Sequence, residues 1–306
     1  MNDPASPSVR PRAIALSLPV PRVSSRASDF LALTKPRLNF LVVATTLSGY
    51  YLAADQFSPV LLLHTVVGTA LVAGGAAAFN EIFERDTDGL MRRTRNRPLP
   101  GGRMRVSTAA WFAVAISAIG LVQLVLGANL LAAGIAAVTL ISYTLVYTPL
   151  KGRTSLATLV GGIPGGLPPM IGWAAARGSL SVDAWVLFAI VFFWQMPHFL
   201  AIAWLCREDY ARAGLPMLPV VEPDGRSTGL QAVLYAAVLV PVSLMPTLTG
   251  LTGRVYFVVA AILGLGFLAL AVQFAGRRTN EGARRLFLGS ISYLPLLWAL
   301  MLGNHL

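Results

Sequence analysis

Asn80, Glu84 and Asp88 follow one another at intervals of four residues, so a helix running through them carries all three side chains on nearly one face over roughly 12 Å. Hard oxygen ligands of this kind suit Mg²⁺, which keeps several waters and is shared between one or two carboxylates and substrate phosphates. The basic string MRRTRNRPLP comes directly after, at 91–100. Its guanidinium groups, Arg93 and Arg97 among them, match phosphate oxygens. Carboxylates followed by guanidiniums point to a metal-bridged diphosphate. The competing reading is a solvated loop in which Glu84 and Asp88 pair with Arg92 and Arg93 at helical spacing.

A second cluster begins with WQMPHF at 194–199 and ends with Glu208 and Asp209, the latter eleven residues after His198. On an unbroken helix His198 and Asp209 share a face, about 16 Å apart. Glu208 and Asp209 join Asn80, Glu84 and Asp88 as expected metal ligands, with Asp209 the member of the second cluster assigned to catalysis. His198 is either a satisfied core group or a ligand or proton-transfer residue. Lys151 and Arg153, in the short string YTPLKGRT at 147–154, are diphosphate counter-ions if a diphosphate lies nearby, and otherwise mark topology alone. His64 reads as a helix-packing residue and His305 as a solvated terminus.

The elements that must position these groups are hydrophobic. Of 306 residues, 56% are apolar and 12% charged, and the mean hydropathy is +0.67, which excludes an ordinary soluble domain. Nine apolar segments stand at 38–54, 60–79, 107–126, 130–148, 156–176, 182–205, 229–245, 255–274 and 286–302, several near the roughly 20 residues a bilayer requires. The expected fold is therefore all-α, a polytopic membrane protein with nine transmembrane helices. The fifth segment contains Gly161, Gly162, Pro164, Gly165, Gly166, Pro168 and Pro169, too many breakers for one regular helix. It is either a kinked packing helix or the wall of a cavity.

The net charge of +11 is a matter of topology here rather than a nucleic-acid signal, because 22 of the 24 Lys and Arg residues fall in the N-terminal arm and the even-to-odd connections. By the positive-inside rule that face is cytoplasmic, leaving only Arg177 and Arg254 outside. An odd span count then puts the N-terminus in the cytoplasm and the C-terminus outside. Both acidic clusters lie on the cytoplasmic face. Residues 1–29 read as a disordered cytoplasmic tail, or alternatively an organelle transit peptide, and 30–306 as the membrane domain. The single cysteine, Cys206, excludes an internal disulfide.

The string NEIFERDTDGLMRRTRNRPLP at 80–100 resembles the first acidic motif of the UbiA-type intramembrane prenyltransferases. Thr34-Lys35-Pro36-Arg37, WQMPHF and DYARAGLPMLPVV at 209–221 are similar to the haem-farnesylating, haem O-forming branch of that family. The likeness covers about residues 30–305. It implies nine helices around a central lipid-open cavity, with both acidic motifs at its cytoplasmic mouth and Mg²⁺ bridging them to farnesyl diphosphate. It also implies haem B as acceptor, a place in the bacterial inner membrane (or the mitochondrial one), and haem A synthase or oxidase assembly factors as partners. Asn80, Glu84, Asp88 and Asp209 would then hold the metal, with Arg93, Arg97, Lys151 and Arg153 neutralising the diphosphate and His198 beside the haem. Two departures stand out: Glu84 replaces the aspartate usual in the wider family, and His198 and Leu205 fall where further acids might stand. A quinone- or chlorophyll-precursor prenyltransferase is the nearest rival and would share the first motif but not WQMPHF. A transporter would show repeated halves and polar residues at mid-membrane, neither of which is found.

Overall fold

The structure is a computed structural model and describes residues 26–306. All named elements there are helical, and the one β feature is an isolated bridge between Thr252 and His305. In chain order they are α1 (Arg26–Leu33), α2 (Pro36–Ala53), α3 (Pro59–Leu90), α4 (Val106–Gly127), α5 (Leu130–Ile141), a π-turn (Ser142–Tyr147), α6 (Thr148–Leu150), α7 (Ala157–Gly166), α8 (Pro168–Arg177), α9 (Val182–Leu205), α10 (Arg207–Arg212), α11 (Leu218–Val221), α12 (Arg226–Leu248), α13 (Arg254–Arg277) and α14 (Asn280–Gly303).

Local chemistry starts the helices. Ser58 accepts the Leu61 N–H ahead of Pro59 in α3, Asn129 accepts the Ala132 N–H of α5, and Thr279 accepts the Gly282 N–H of α14, satisfying donors that a first turn leaves open. All nine expected apolar segments are helical. Among the described residues, however, seven helices are long and apolar enough to cross a membrane: α3, the α5–α6 run, α4, α9, α12, α13 and α14. The first segment, α2, has 18 residues and several polar ones. The fifth is split into α7 and α8, ten residues each, because Pro164, Pro168 and Pro169 supply no backbone N–H. Positions 26–29, expected to belong to the tail, are helical. Residues 26–29 begin α1, where buried Asp29 accepts from Arg103 Nε at 3.0 Å; residues 1–25 lie outside the described part.

The glycines of the split segment are contact points. A Cβ on Gly172 would strike the Thr46 carbonyl and the Tyr50 backbone nitrogen in α2, and one on Gly49 would strike Pro169. Backbones that approach this closely replace the hydrophobic driving force that lipid removes. Thr46 Oγ1 also donates to Pro168 O at 3.0 Å. In α7, Gly162 sits under Met196 and Phe192 of α9, and its carbonyl accepts from Gln195 Nε2 at 2.7 Å. Both halves therefore pack, and the buried carbonyl of Gly162 receives a side-chain donor from α9.

The outward faces carry Phe40, Trp111, Leu126, Val255 and Ile262, each well over half exposed, a surface suited to lipid rather than water. At the end opposite the acidic array, Arg177 donates to Ala53 O at 2.7 Å and pairs with Asp55. His305 is not a free terminal group: its Nε2 lies 3.1 Å from Leu52 O. His64 meets Gln123 at 2.6 Å, as a packing residue should.

Gly172→Leu is expected to cost about 1–3 kcal/mol or more through overpacking against α2 backbone. Gly134→Ala, with no atom within 4 Å of the added methyl, should be neutral to slightly stabilising. Thermal unfolding of the detergent-solubilised variants compares the two, and equal midpoints would show that the α2–α8 contact is not tight.

Candidate functional site

Helix α3 continues unbroken eleven residues past Phe79, and its last three turns hold Asn80, Glu81, Glu84 and Asp88 at 3%, 1%, 8% and 1% exposure. Carboxylates this buried are costly unless paired. Three cations, each from a different element, reach them. Lys151, just after α6, places Nζ 3.0 Å from both oxygens of Glu84. Arg97 in the α3–α4 loop donates to Asp88 Oδ2 at 2.6 Å and stands 3.7 Å from Glu81 Oε1. Lys35, between α1 and α2, donates to Asn80 Oδ1 at 2.6 Å, and Asn80 Nδ2 donates to Thr148 Oγ1 at 3.2 Å. The pairing of Glu84 and Asp88 with Arg92 and Arg93, which the competing reading required, does not occur: Glu84 pairs with Lys151 and Asp88 with Arg97.

Backbone irregularities aim these cations. Lys35 has φ +47°, a left-handed conformation rare for a non-glycine residue and a form of strain that collects at functional sites. The π-turn at 142–147 sits directly before Thr148 and Lys151, and such turns redirect the residues that follow. Burial lowers the Lys35 ammonium to about 8, aided by the Arg97 charge. Burial acts the same way on Lys151, but the Glu84 carboxylate more than offsets it and holds that ammonium above its ordinary range.

The second acidic cluster approaches through the α3–α4 loop. Arg93 donates to the Tyr210 hydroxyl at 2.9 Å and lies 5.0 Å over its ring. The Arg92 N–H points at Asp209 Oδ1 at 3.4 Å, and Arg212 donates to the same oxygen at 2.6 Å. Met91, Ala203, Tyr210, Ala213, Leu215 and Met217 form the apolar cluster beneath. The helix assumed to carry both His198 and Asp209 is broken at Cys206, where α9 stops and α10 starts anew, so their expected shared face does not exist. Glu208 and Arg153 are exposed and are not drawn into the array.

Among the described residues no three His, Cys, Asp or Glu side chains converge closely enough to hold a metal by themselves. The five expected metal ligands thus separate into three on α3, Asp209 across the loop, and Glu208 facing outward. The α3 surface nonetheless fits an added cation shared with phosphate. Glu81 Oε2 and Asp88 Oδ1 are buried without any hydrogen-bond partner, and a buried carboxylate oxygen left unmatched needs one.

His198 turns towards α14. Its ring stacks on Trp194 and Phe287 with centroids 5.2 and 5.1 Å away, and Nδ1 lies 2.7 Å from Ser290 Oγ. The Ser290 hydroxyl proton is committed to the Phe287 carbonyl at 2.5 Å. A carbonyl can only accept, so Nδ1 donates to Ser290 and Nε2 carries the lone pair. Trp194 Nε1 closes the group by donating to Ser290 O at 2.8 Å.

Sequence reasoning left Glu81, Lys35, Thr148, Tyr210 and Ser290 out of the site. Glu81 carried a signal, since it stands three and seven residues before Glu84 and Asp88 on the same helical face. Lys35 stood in the string Thr34-Lys35-Pro36-Arg37 that resembles the family, but with no role at the acidic array assigned to it.

Residues 42–300 match the UbiA prenyltransferase family. The protoheme IX farnesyltransferase of Solibacter usitatus is 51% identical over 284 residues, spanning 90% of this chain and 97% of that protein. The protein of the same name from Myxococcus xanthus is 47% identical, spanning 89% and 93%. Among solved structures, a digeranylgeranylglyceryl phosphate synthase superposes with a TM-score of 0.78 at 17% identity, covering 91% of this chain and 98% of that one. A UbiA homolog from Archaeoglobus fulgidus bound to GPP and Mg²⁺ superposes with a TM-score of 0.65 at 15% identity, covering 89% and 99%. A helical fold over the described residues, an acidic array facing basic side chains and a family match over most of the sequence agree: this chain belongs to the UbiA prenyltransferase family.

Proposed function

We propose that this chain transfers the farnesyl group of farnesyl diphosphate to a vinyl side chain of protohaem IX (haem B), with addition of water, to give haem O. The observation that carries the reading is the buried array on α3: carboxylates with orphaned oxygens, ringed by cations from three elements. The acceptor follows the names of the relatives at 41–51% identity. The solved neighbour holding GPP and Mg²⁺ supports the same ligand class.

Asn80, Glu84 and Asp88, with Asp209 from across the loop, would hold Mg²⁺, which supplies charge neutralisation for the leaving diphosphate. Arg93, Arg97 and Lys151 neutralise the remaining phosphate charge, and Arg153 sits exposed at the rim of the same turn. These groups hold charge where it develops and form no covalent bond to substrate. The allylic cation left by ionisation is kept from water by the apolar helices around it. Attack by the haem vinyl group and addition of water complete the product. The lone pair on His198 Nε2 is the protein group available to the haem iron, with Ser290 fixing the tautomer as outer-shell partners do.

The chain crosses the membrane nine times around a central cavity, with α2 and the α7–α8 pair as the two crossings that length and composition alone do not single out. The charge split supports an N-terminus and site facing the cytoplasm of a bacterial cell, with the membrane domain in the inner membrane and the C-terminus outside. The haem O formed would pass within the membrane to a haem A synthase or an oxidase assembly partner.

Asp88→Asn keeps the size of the side chain and removes its charge. Turnover with haem B and farnesyl diphosphate should fall by about 10²–10³-fold, and EDTA should abolish wild-type activity until Mg²⁺ is restored. Mass spectrometry of the extracted porphyrin checks the product. A gain of one farnesyl group and one water supports the assignment, and unmodified haem beside a prenylated phenol would refute it.

His198→Ala should weaken the haem absorption band of the purified protein or shift it while leaving farnesyl diphosphate affinity nearly unchanged. Unaltered haem binding with lower thermal stability would return His198 to a purely packing role. For topology, a reporter fused after Leu306 should register outside and one within residues 277–285 inside; the opposite result for the C-terminus would mean that the span count is even.

A further inference from the structure

We propose that the site is held electrically neutral by its own lysines and arginine, so that Mg²⁺ and the prenyl diphosphate bind as a coupled pair, each taking over one half of ion pairs already made. The inference rests on the reading of this array as a Mg²⁺–diphosphate site, and goes beyond it in naming Lys151 as the group whose exchange couples the two.

The three carboxylates Glu81, Glu84 and Asp88 face the three cations Lys35, Arg97 and Lys151, and their formal charges cancel. The oxygens a metal would need are largely taken. Lys151 engages both Glu84 oxygens at 3.0 Å, Arg97 engages Asp88 Oδ2 at 2.6 Å, and Lys35 engages Asn80 Oδ1 at 2.6 Å. What remains open is one oxygen on Asp88 and one on Glu81, not a complete carboxylate.

A divalent cation entering alone would add two charges to a neutral, desolvated cluster and would have to displace an ammonium with nowhere to go. A diphosphate entering alone would add negative charge beside carboxylates that already hold the cations. Both penalties are large where the dielectric is low. When the two arrive together, the carboxylates turn to the metal and the released ammonium and guanidinium turn to phosphate oxygens. Lys151 suits this exchange: it stands in the turn that follows α6, with a flexible four-carbon stem and three donors that need no fixed plane. Because coupling is reciprocal, whatever factor the diphosphate adds to metal affinity, the metal adds to diphosphate affinity.

The test uses the full-length protein in lipid nanodiscs, with Mn²⁺ in place of Mg²⁺ and farnesyl thiodiphosphate as an analogue that resists ionisation. Free Mn²⁺ is followed by electron paramagnetic resonance, and a protein-free titration accounts for Mn²⁺ held by the analogue itself. Wild type should bind Mn²⁺ weakly alone and at least about tenfold more tightly with the analogue. Lys151→Gln leaves Glu84 uncompensated and should bind Mn²⁺ alone about tenfold more tightly than wild type, with the coupling to the analogue reduced. Adding Glu84→Gln should cancel that gain, and Lys151→Arg, which keeps the positive charge beside Glu84, should show no such gain in affinity for Mn²⁺ alone. Equal Mn²⁺ affinity with and without analogue in wild type, or no gain in Lys151→Gln, overturns the exchange while leaving the metal site itself standing. Analogue binding without any Mn²⁺ uptake would instead overturn the underlying metal reading, and the exchange with it.

Discussion

Three carboxylates at the end of one helix, buried to a few per cent exposure, impose the requirement on which the site is built. Removing one partner from a buried ion pair costs roughly 3–5 kcal/mol, so Glu81, Glu84 and Asp88 can occupy these positions only if cations are delivered to them from elsewhere. The deliveries come from three places far apart in the chain: the turn before α2, the α3–α4 loop and the turn after α6. Each of those connections is thereby tied to the last turns of α3. The charges that serve chemistry also hold together the end of the bundle where the connections meet.

Delivery depends on backbone details that would otherwise look like defects. Lys35 adopts a left-handed conformation, the fourth apolar segment loosens into a π-turn before Lys151, and the fifth segment breaks where prolines remove its donors. In each case the cost is met by a specific contact. Asn80 receives the Lys35 ammonium, Glu84 receives Lys151, and Gln195 caps the carbonyl of Gly162. The glycines around the break allow α8 to lie directly on α2, which begins at the face from which Lys35 emerges.

The group around His198, proposed to face the acceptor, is organised by a different rule. His198, Trp194, Phe287 and Ser290 join α9 to α14 through stacked rings and a short chain of hydrogen bonds, with no formal charge of their own. Each donor there has one partner, so the tautomer of His198 follows from the Ser290 hydroxyl, which donates to the Phe287 carbonyl and can only accept from Nδ1. Charged groups crowd one end of the bundle and neutral polar groups lie among the helices, the arrangement that the proposed departure of an ionic leaving group at the edge of an apolar interior calls for.

Composition and periodicity were enough to establish an all-helical membrane chain, because lipid demands long apolar runs with internally satisfied backbone, and that demand is written residue by residue. The spacing of Asn80, Glu84 and Asp88 was likewise readable, since a helix maps intervals of four onto one face, and the adjoining motifs were enough to suggest the family. What the sequence could not show was which cation meets which acid. Arg92 and Arg93 were the nearest in sequence, yet Arg97 and Lys151 make the pairs, and Lys35, 45 residues before Asn80, is drawn in as well. Such pairings depend on how separate helices stack, and a side chain's reach across space leaves no local pattern. The same reason explains why Glu208, beside Asp209 in sequence, faces solvent, and why the helix expected to join His198 to Asp209 ends at Cys206: only the packing of the loop against α9 and α10 decided where the chain could turn.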